Sequence, residues 1–290
     1  MSDLANTREI RLKIKATGET KKITKAMKMM AAVKLRKARE AHNETLPFFE
    51  HIQETMIDIL QRLPNIETGF FDTRDDKPNK KTGYIVITSD RGLTGSYNHN
   101  VIKLAKGIID KETSVVFPIG AMVENAMIKD GYNVVTDLGI KNYEVDTVTA
   151  SKITDRMIKL FQDGTIDELK FIYTDMKSAM TLRPNILHLL PLDREAFKVP
   201  KREEMVTTLE LEPTPEIVFD VLANKYVKGV LYGGMIESFV SEQLARMNAM
   251  DSATTNAENV IEELTRNYNR VRQASITQEI TEIIAGMSNV

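Results

Sequence analysis

The feature that most constrains this fold is a proline-free stretch near the C-terminus, from Glu216 to Met287. A helix of this length would extend roughly 100 Å at about 1.5 Å per residue. Its apolar and small residues recur at alternating intervals of three and four, the spacing of a helix that packs along another helix. They are Ile261, Leu264, Tyr268, Val271 and Ser275, continued by Ile276, Ile280 and Ile283. The stretch predicts one long helix that needs a helical partner.

The N-terminal end of the chain offers that partner. Residues 7–62 contain one glycine, Gly18, and one proline, Pro47, among many strong helix formers. Their apolar positions again follow intervals of three and four, which indicates a long amphipathic helix with a bend near Pro47. The stripe consists of Ile10, Ile14, Thr17, Ile23, Met27 and Met30, then Leu35, Ala38 and His42. We therefore expect the two terminal helices to pair in antiparallel orientation.

Between the two helices the sequence changes character. Residues 64–82 contain prolines and glycine among polar residues and are typical of a linker. Short β-rich segments then alternate with helical ones, which predicts an open α/β sheet of Rossmann-like type. The predicted strands are Tyr84–Thr88, Val115–Gly120, Asn133–Asp137, Leu169–Asp175 and Ile186–Leu190, and the predicted helices are 98–110, 121–130 and 146–162. Residues 193–215 are charged and contain several prolines, so we expect an exposed excursion there.

The predicted fold class is therefore α/β: a long antiparallel coiled coil of the N- and C-terminal helices, with an inserted Rossmann-like α/β domain. We divide the chain into an N-terminal coiled-coil helix (1–62), the α/β domain with its excursion (63–215) and a C-terminal coiled-coil helix (216–290).

Charge is distributed unevenly along the chain. The formal net charge is −2, yet residues 1–40 hold twelve Lys and Arg against four Asp and Glu. Residues 21–39 hold eight basic residues and no acid. Such a basic segment is either an ordinary solvated helix face or a contact surface for nucleic acid, anionic lipid or an acidic protein. Met and Ala accompany the basic residues in place of the aromatic residues that stack on bases, which disfavours nucleic acid.

The sequence offers little for catalysis. It contains no Cys, which excludes disulfides, thiolate zinc sites and cysteine nucleophiles. The four His are scattered, without the spacing of a metal site. The turn SDRGLTGS (residues 89–96) follows a predicted strand but matches neither phosphate-loop pattern, so we expect a packed turn in which Gly92 and Gly95 adopt unusual backbone angles. We expect no catalytic residue, cofactor or metal. No run of about 18 apolar residues is present, so we expect no membrane insertion.

Three motifs carry a family resemblance. They are ITKAMKMMAAVKLRKA (23–38), TSDRGLTGSYN (88–98) and SEQLARMNAMDSATTNAENVIEELTRNYNRVRQASITQEITEIIAG (241–286). Together, and in this order, they resemble the gamma subunits of bacterial F-type ATP synthases, and the resemblance covers essentially the whole chain. It implies a non-catalytic central rotor shaft that couples rotation of a membrane ring to ATP synthesis or hydrolysis on a surrounding hexamer.

The resemblance also implies partners and contact residues. Met27 and Lys28 would lie beside acidic loops of the catalytic subunits, with Arg246 near the same level. Arg272 and Gln273 would hydrogen-bond a catch loop, with Thr277 nearby. The stretch Ile276–Ala285 would fill an apolar sleeve of the hexamer. The implied partners are the alpha and beta subunits, the epsilon subunit and the c-ring, on the cytoplasmic side of a bacterial cell membrane.

Two rival functions remain distinguishable by what they require. A Rossmann-type enzyme with helical appendages needs a phosphate loop and catalytic acids or bases. A basic coiled-coil arm for RNA or DNA predicts steeply salt-dependent binding to polynucleotide.

Overall fold

A computed structural model describes residues 2–137, 145–178, 181–197 and 211–287. Its helices and strands are α1 (Ser2–Arg62), β1 (Thr82–Ile87), α2 (Tyr97–Ile108), β2 (Ser114–Ile119), α3 (Ala121–Lys129), α4 (Thr147–Gln162), β3 (Glu168–Ser178), β4 (Thr181–Leu190) and α5 (Pro215–Met287). The chain separates into two compact units. The coil unit consists of the chain up to Val33 and from Arg246 onward, and the domain unit is Lys34–Ala245.

Local sequence explains where the long helices begin and end. Helix α1 ends at Arg62, two residues before Pro64, because proline cannot continue the hydrogen-bonded ladder. Helix α5 starts with Pro215 at its first position, where the missing N–H is not needed. The Thr214 hydroxyl accepts from the N–H of Ile217 at 3.3 Å and satisfies one of the unpaired donors of the first turn. The prediction of two long terminal helices is confirmed.

The domain unit is built on a four-stranded sheet in the order β2-β1-β3-β4. Strand β1 pairs in parallel with both β2 and β3, and β4 runs antiparallel at the edge of the sheet. Ile85 lies opposite Phe117 in β2 and Phe171 in β3. This is the open α/β sheet that the alternation of strands and helices predicted.

One sequence-based detail of the domain unit is corrected, and a second lies mostly outside the described residues. Segment 133–137, predicted as a strand, joins the sheet only through an isolated bridge between Val134 and Val116, because only two backbone hydrogen bonds, each made with Val116, attach it. The predicted excursion 193–215 lies largely outside the described residues, but Phe197 at its start is buried and its ring lies 5.3 Å from that of Tyr226. Packing of this aromatic ring holds the start of the segment against α5.

Each face of the sheet has its own core, because successive side chains of a strand point to opposite faces. Ile85 and Ile87 point to one side and join a large core with residues of α1, α4 and α5. Tyr84 and Val86 point to the other side, into a smaller core formed by α2 and α3. The large core contains Met56 of α1 among its fully buried side chains. The middle of the sheet is therefore covered on both faces, as parallel sheets require.

Helix α5 approaches the rest of the domain unit closely at glycines. A Cβ atom on Gly234 would lie 2.4 Å from Cε1 of Phe171, and one on Gly229 would lie 2.1 Å from Cδ1 of Phe49. Both distances are far below van der Waals contact. Gly233, between them, has nothing closer than His42 at 4.0 Å. The two flanking glycines allow the helix to pack against β3 and α1.

Residues 63–81, which we call the connecting segment, are bound firmly to the rest of the domain unit. Arg74 donates from Nη1 to the carbonyl of Ile166 at 2.7 Å and to Asp167 Oδ1 at 2.9 Å. Its guanidinium also hydrogen-bonds the carbonyl of Phe161 and lies 4.4 Å above that ring. Lys77 donates to Asp167 at 2.7 Å and the backbone N–H of Lys81 does so at 2.8 Å. The fully buried Asp167 carboxylate thus joins three positions of the segment to the loop before β3.

A second arginine binds the other end of the connecting segment. Arg194 donates to the carbonyls of Pro64 and Ile66, both at 2.6 Å, and its guanidinium lies 4.2 Å above the ring of Phe71. The ring of Phe71 in turn lies 5.4 Å from that of Phe219 in α5. The segment that the sequence presented as a linker is therefore held by charge-assisted hydrogen bonds at both ends.

In the coil unit the first part of α1 runs antiparallel to the last part of α5. Lys21 Nζ lies 2.9 Å from Glu258, the Thr24 and Thr254 hydroxyls are 2.8 Å apart, and Lys28 Nζ lies 2.5 Å from Asp251. Each step up α1 is matched by a step of similar size down α5, as antiparallel helices require. The buried side chains of this seam are Ile10, Thr24, Ala31, Met250 and Ala257.

The predicted apolar stripes coincide only partly with this seam. On α5, Ile261 and the next four predicted stripe residues, through Ser275, are half-buried, whereas Ile276, Ile280 and Ile283 are exposed. On α1, Ile10 is buried but Ile23 and Met30 are each 60% exposed. Periodicity therefore identified both helices and most of the face that each turns toward its partner, with these exposed positions as the exceptions.

Candidate partner-contact surface

The predicted contact residues form two groups along the coil unit. Met27 and Lys28 lie on α1, and Arg246 lies on α5 five residues before Asp251, the partner of Lys28. Five residues correspond to about 7–8 Å of helix, so these three positions lie near one level. The second group consists of Arg272, Gln273 and Thr277. By the same rise, Arg272 lies about 40 Å beyond Arg246 along α5.

Lys28 already has an ion-pair partner within the chain. Its ammonium is paired with Asp251, and 40% of its side chain is exposed. Lys21 is paired with Glu258, and Lys22 with Glu19 at 3.0 Å. Much of the basic run is therefore compensated within the chain. The cross-helix partners carry no local sequence signal, because they lie more than two hundred residues away along the chain.

All three side chains of the second group are exposed to solvent. Arg272, Gln273 and Thr277 are all exposed on α5. The Thr277 hydroxyl donates to the carbonyl of Gln273 at 2.9 Å, so this hydroxyl is engaged within its own helix. The planar guanidinium of Arg272 carries five donors, which suits recognition of carbonyl or carboxylate oxygens on another chain.

Large apolar side chains are also exposed at both ends of the coil unit. Their exposed fractions range from 47% at Ile276 to 75% at Met287. A high density of exposed apolar side chains is typical of a surface that another protein covers. The residues are Leu12, Ile23, Met29, Met30 and Val33 on α1, and Ile276, Ile280, Ile283, Ile284 and Met287 on α5.

The turn after β1 is closed by its own polar groups. Asn98 accepts from the N–H of Ser89 at 3.0 Å and donates to the hydroxyls of Ser89 and Thr94. Asp90 accepts from the N–H of Ala121, the first residue of α3, at 3.1 Å. A carboxylate at this helix start already interacts with the positive end of the helix dipole, where a phosphate group would otherwise bind.

The backbone of this turn differs in part from the expectation. Gly95 has a left-handed φ of 56°, as predicted. Gly92 does not adopt a positive φ; the second left-handed residue is Leu93, with φ 65°. Leu93 tolerates this conformation in a position where its side chain is 62% exposed and meets little steric resistance.

The most perturbed titratable groups belong to the packing of the domain unit. Burial opposes ionisation of Asp167, but hydrogen bonds from Lys77, the Lys81 backbone and Arg74 outweigh it and lower the pKa to about 2. Burial, with the nearby charge of Asp175, raises the pKa of Glu237.

Two negative findings apply to the ranges that the structure describes. In them, no three His, Asp or Glu side chains come together in a way that could hold a metal ion. Nor does any helix in those ranges combine the length and apolar character needed to cross a membrane.

Comparison with known proteins places this geometry in a family. A family model described as ATP synthase matches residues 6–290. The ATP synthase gamma chain of Acetivibrio thermocellus is 41% identical over 290 residues, covering 98% of each chain. This chain belongs to the ATP synthase gamma chain family. The gamma chain of Ruminiclostridium cellulolyticum is equally similar, with 41% identity over 288 residues and 98% of each chain covered.

The gamma-chain fold is also found among solved structures. A chain of the mitochondrial ATP synthase of Euglena gracilis, solved with OSCP, F1 and the c-ring, aligns with a TM-score of 0.66. The alignment covers 98% of this chain and 94% of that chain at 20% identity, a likeness of fold. It confirms the predicted combination of long terminal helices with an α/β domain.

Proposed function

We propose that this chain is the central rotor shaft of an ion-translocating F-type ATP synthase. In this role it is not an enzyme itself; it couples rotation of a membrane ring to ATP synthesis or hydrolysis on the surrounding subunits. The observation that carries the proposal is the family match over residues 6–290 in a chain whose two ends pair as long helices. A helix pair of this length suits the transmission of rotation along its axis.

The proposal assigns partners to the two units. The alpha and beta subunits surround the coil unit, where Met27, Lys28 and Arg246 face acidic loops of the catalytic subunits. Arg272, Gln273 and Thr277 contact a catch loop, and the exposed isoleucines beyond them enter an apolar sleeve. The epsilon subunit and the c-ring bind the domain unit. The complex then holds this chain at the cytoplasmic side of a bacterial cell membrane, without direct insertion and without a role for nucleic acid.

Exposure and charge support this assignment. The second contact group and the isoleucines beyond it are exposed, as a contact surface requires. Acidic loops would meet a helix whose residues 21–39 carry eight basic side chains. Among these, Lys28 retains a 40% exposed side chain even while paired, so a second carboxylate can approach it.

The test is a proline placed in the middle of α5. Val260 is 43% exposed, so its side chain contributes little packing. Val260→Pro removes a backbone donor and clashes with the preceding turn, at a cost of about 3 kcal/mol or more. Val260→Ala, the matched control, leaves the helix intact. In vesicles that carry the assembled complex, we expect Val260→Pro to abolish ATP synthesis and ATP-driven ion pumping, and Val260→Ala to retain both. Normal synthesis with Val260→Pro would contradict a continuous torque-bearing helix.

A further inference from the structure

Strand β3 continues past the end of its neighbour β1. The parallel pairing of the two strands ends at Ile172, whereas β3 extends to Ser178. Beyond that point, helix α5 supplies hydrogen-bond partners to the backbone of β3. The Ser238 hydroxyl accepts from the N–H of Thr174 at 2.9 Å, and the Ser241 hydroxyl donates to the carbonyl of Thr174 at 3.4 Å. Both serines are fully buried. We call this contact of α5 with Thr174 the junction.

Two carboxylates flank the junction, one on each element. Asp175 follows Thr174 in β3, and Glu237 directly precedes the first of the two serines in α5. Because side chains alternate along a strand, Asp175 points to the same face as Phe171, which is the face that α5 covers. Both acids are only partly exposed. Burial, together with the charges of Glu237 and Asp175, raises the pKa of Tyr173 beside them. The two acids therefore share one poorly hydrated environment.

Within the described ranges, neither acid forms an ion pair with a basic side chain. Basic groups are nevertheless close on two neighbouring elements. Arg183 of β4 lies directly across the strand pair from Asp175, and His42 of α1 lies beside Gly233, about one turn of α5 before Glu237. The acidic groups that α1 and α4 present farther along α5 are Glu44 and Asp146, which act on Tyr232, and Asp155, which pairs with Lys228.

This environment favours a bound proton. Burial and the neighbouring charge of Asp175 raise the pKa of Glu237 above its ordinary value of 4.5. The folded chain therefore binds this proton more tightly than the unfolded chain does. The stabilisation that the proton provides is present below pH 4.5 and is lost as the pH rises through the folded pKa. A protonated carboxyl also donates a hydrogen bond to a neighbouring carboxylate, whereas two ionised carboxylates repel each other.

We propose that the junction is a proton-sensitive latch between α5 and the outer part of β3. The latch is tight when Glu237 and Asp175 hold one proton between them, taken up from solvent, and weak when both are ionised. It lies within the domain unit, so its test uses the chain alone and does not depend on the proposed rotor function.

Amide hydrogen exchange at Thr174 tests the latch, because this N–H becomes free to exchange when the junction opens. Protection factors, which correct for the intrinsic pH dependence of exchange, are compared at about pH 4.5 and about pH 8 in the full chain. In the wild type, we expect the protection of Thr174 to be about tenfold lower at the higher pH. Glu237→Gln mimics the protonated acid and should keep high protection at both pH values. Asp175→Asn removes the repulsion and should reduce the difference seen in the wild type.

Two further variants define what the exchange reports. Glu216→Gln neutralises an exposed acid in the first turn of α5 and should retain the wild-type pH dependence. Ser238→Ala removes the acceptor of the Thr174 N–H and should lower the protection at both pH values. Circular dichroism of each variant measures whether helix content is retained.

Four outcomes would overturn the proposal. Equal protection at both pH values in the wild type means that no proton controls the junction. Wild-type pH dependence in Glu237→Gln assigns the effect to another group. Low protection of that variant at both pH values means that the ionised carboxylate itself holds the junction. Wild-type protection in Ser238→Ala means that α5 does not hold Thr174.

Discussion

Two adjacent glycines in α5 should respond in opposite ways to the same substitution. A methyl group on Gly234 would lie 2.4 Å from Cε1 and 3.2 Å from Cδ1 of Phe171. Carbon atoms pack best at about 3.5–4.0 Å, so the ring or the helix must move by about 1 Å. The ring has little room to do so, because Phe171 is fully buried and stacks on Tyr173 at 5.1 Å. Gly233 has no atom nearer than His42 at 4.0 Å.

The magnitudes follow from two opposing effects. Replacing Gly by Ala inside a helix stabilises the folded state by about 0.5–1 kcal/mol, since alanine has less backbone freedom to lose. Overpacking a tight core costs about 1–3 kcal/mol. We expect Gly233→Ala to raise the free energy of unfolding by about 0.5–1 kcal/mol. We expect Gly234→Ala to lower it by about 1 kcal/mol, which separates the two variants by about 2 kcal/mol.

Urea unfolding of the full chain, followed by circular dichroism, measures both free energies. Adding Phe171→Leu to Gly234→Ala should recover part of the loss, because a smaller side chain leaves room for the methyl group; this coupling appears as non-additivity in a double-mutant cycle. If Gly234→Ala and Gly233→Ala unfold at the same urea concentration, the close approach of α5 to β3 is wrong.

The remaining predictions concern charge. Asp167→Asn should lower the free energy of unfolding at pH 7 by about 3 kcal/mol, because it leaves Arg74 and Lys77 without their shared carboxylate. Urea unfolding measures this free energy. An unchanged value would contradict the conclusion that Asp167 holds the connecting segment. The folded pKa of Asp167 is about 2 against an ordinary 3.8. Its contribution of about 2.5 kcal/mol is therefore present above pH 3.8 and lost as the pH falls to 2, so the stability difference between wild type and Asp167→Asn should shrink across that window. Arg272→Ala with Gln273→Ala should change ATPase turnover of the assembled complex by the equivalent of about 1.5–3 kcal/mol. Arg266→Ala is the control and should leave the turnover unchanged, because the Arg266 side chain pairs with Glu262 of its own helix. Wild-type turnover in the double variant would show that Arg272 and Gln273 do not form the proposed contact.

The sequence predicted the architecture well because the architecture depends on local signals. The lack of proline from Glu216 to Met287 and the nearly glycine-free N-terminal segment were sufficient for the long helices. Alternation of β-rich and helical segments was sufficient for the sheet, except at 133–137, where too few backbone hydrogen bonds form.

The contact surface was less accessible to the same reasoning. Periodicity grouped Ile23 and Met30 with the seam, whereas each is 60% exposed and the seam includes the cross-helix partners Asp251 and Glu258. Such partners are distant in sequence, and one sequence contains no signal that joins them. The same limit applies to the connecting segment, whose polar composition suggested a linker although Asp167 binds it from beyond α4.

The large core of the domain unit also has a consequence for synthesis of the chain. Met56 in α1, Phe171 in β3 and Met235 in α5 are all fully buried in it. A ribosome that adds about 5–20 residues per second needs roughly 10–40 s to pass from Met56 to Met235. Throughout that interval the apolar face of α1 lacks helix α5, which packs against it in the folded domain unit. Truncation before α5 would remove one of the three helices that cover this face of the sheet, and the apolar side chains left exposed there would favour aggregation.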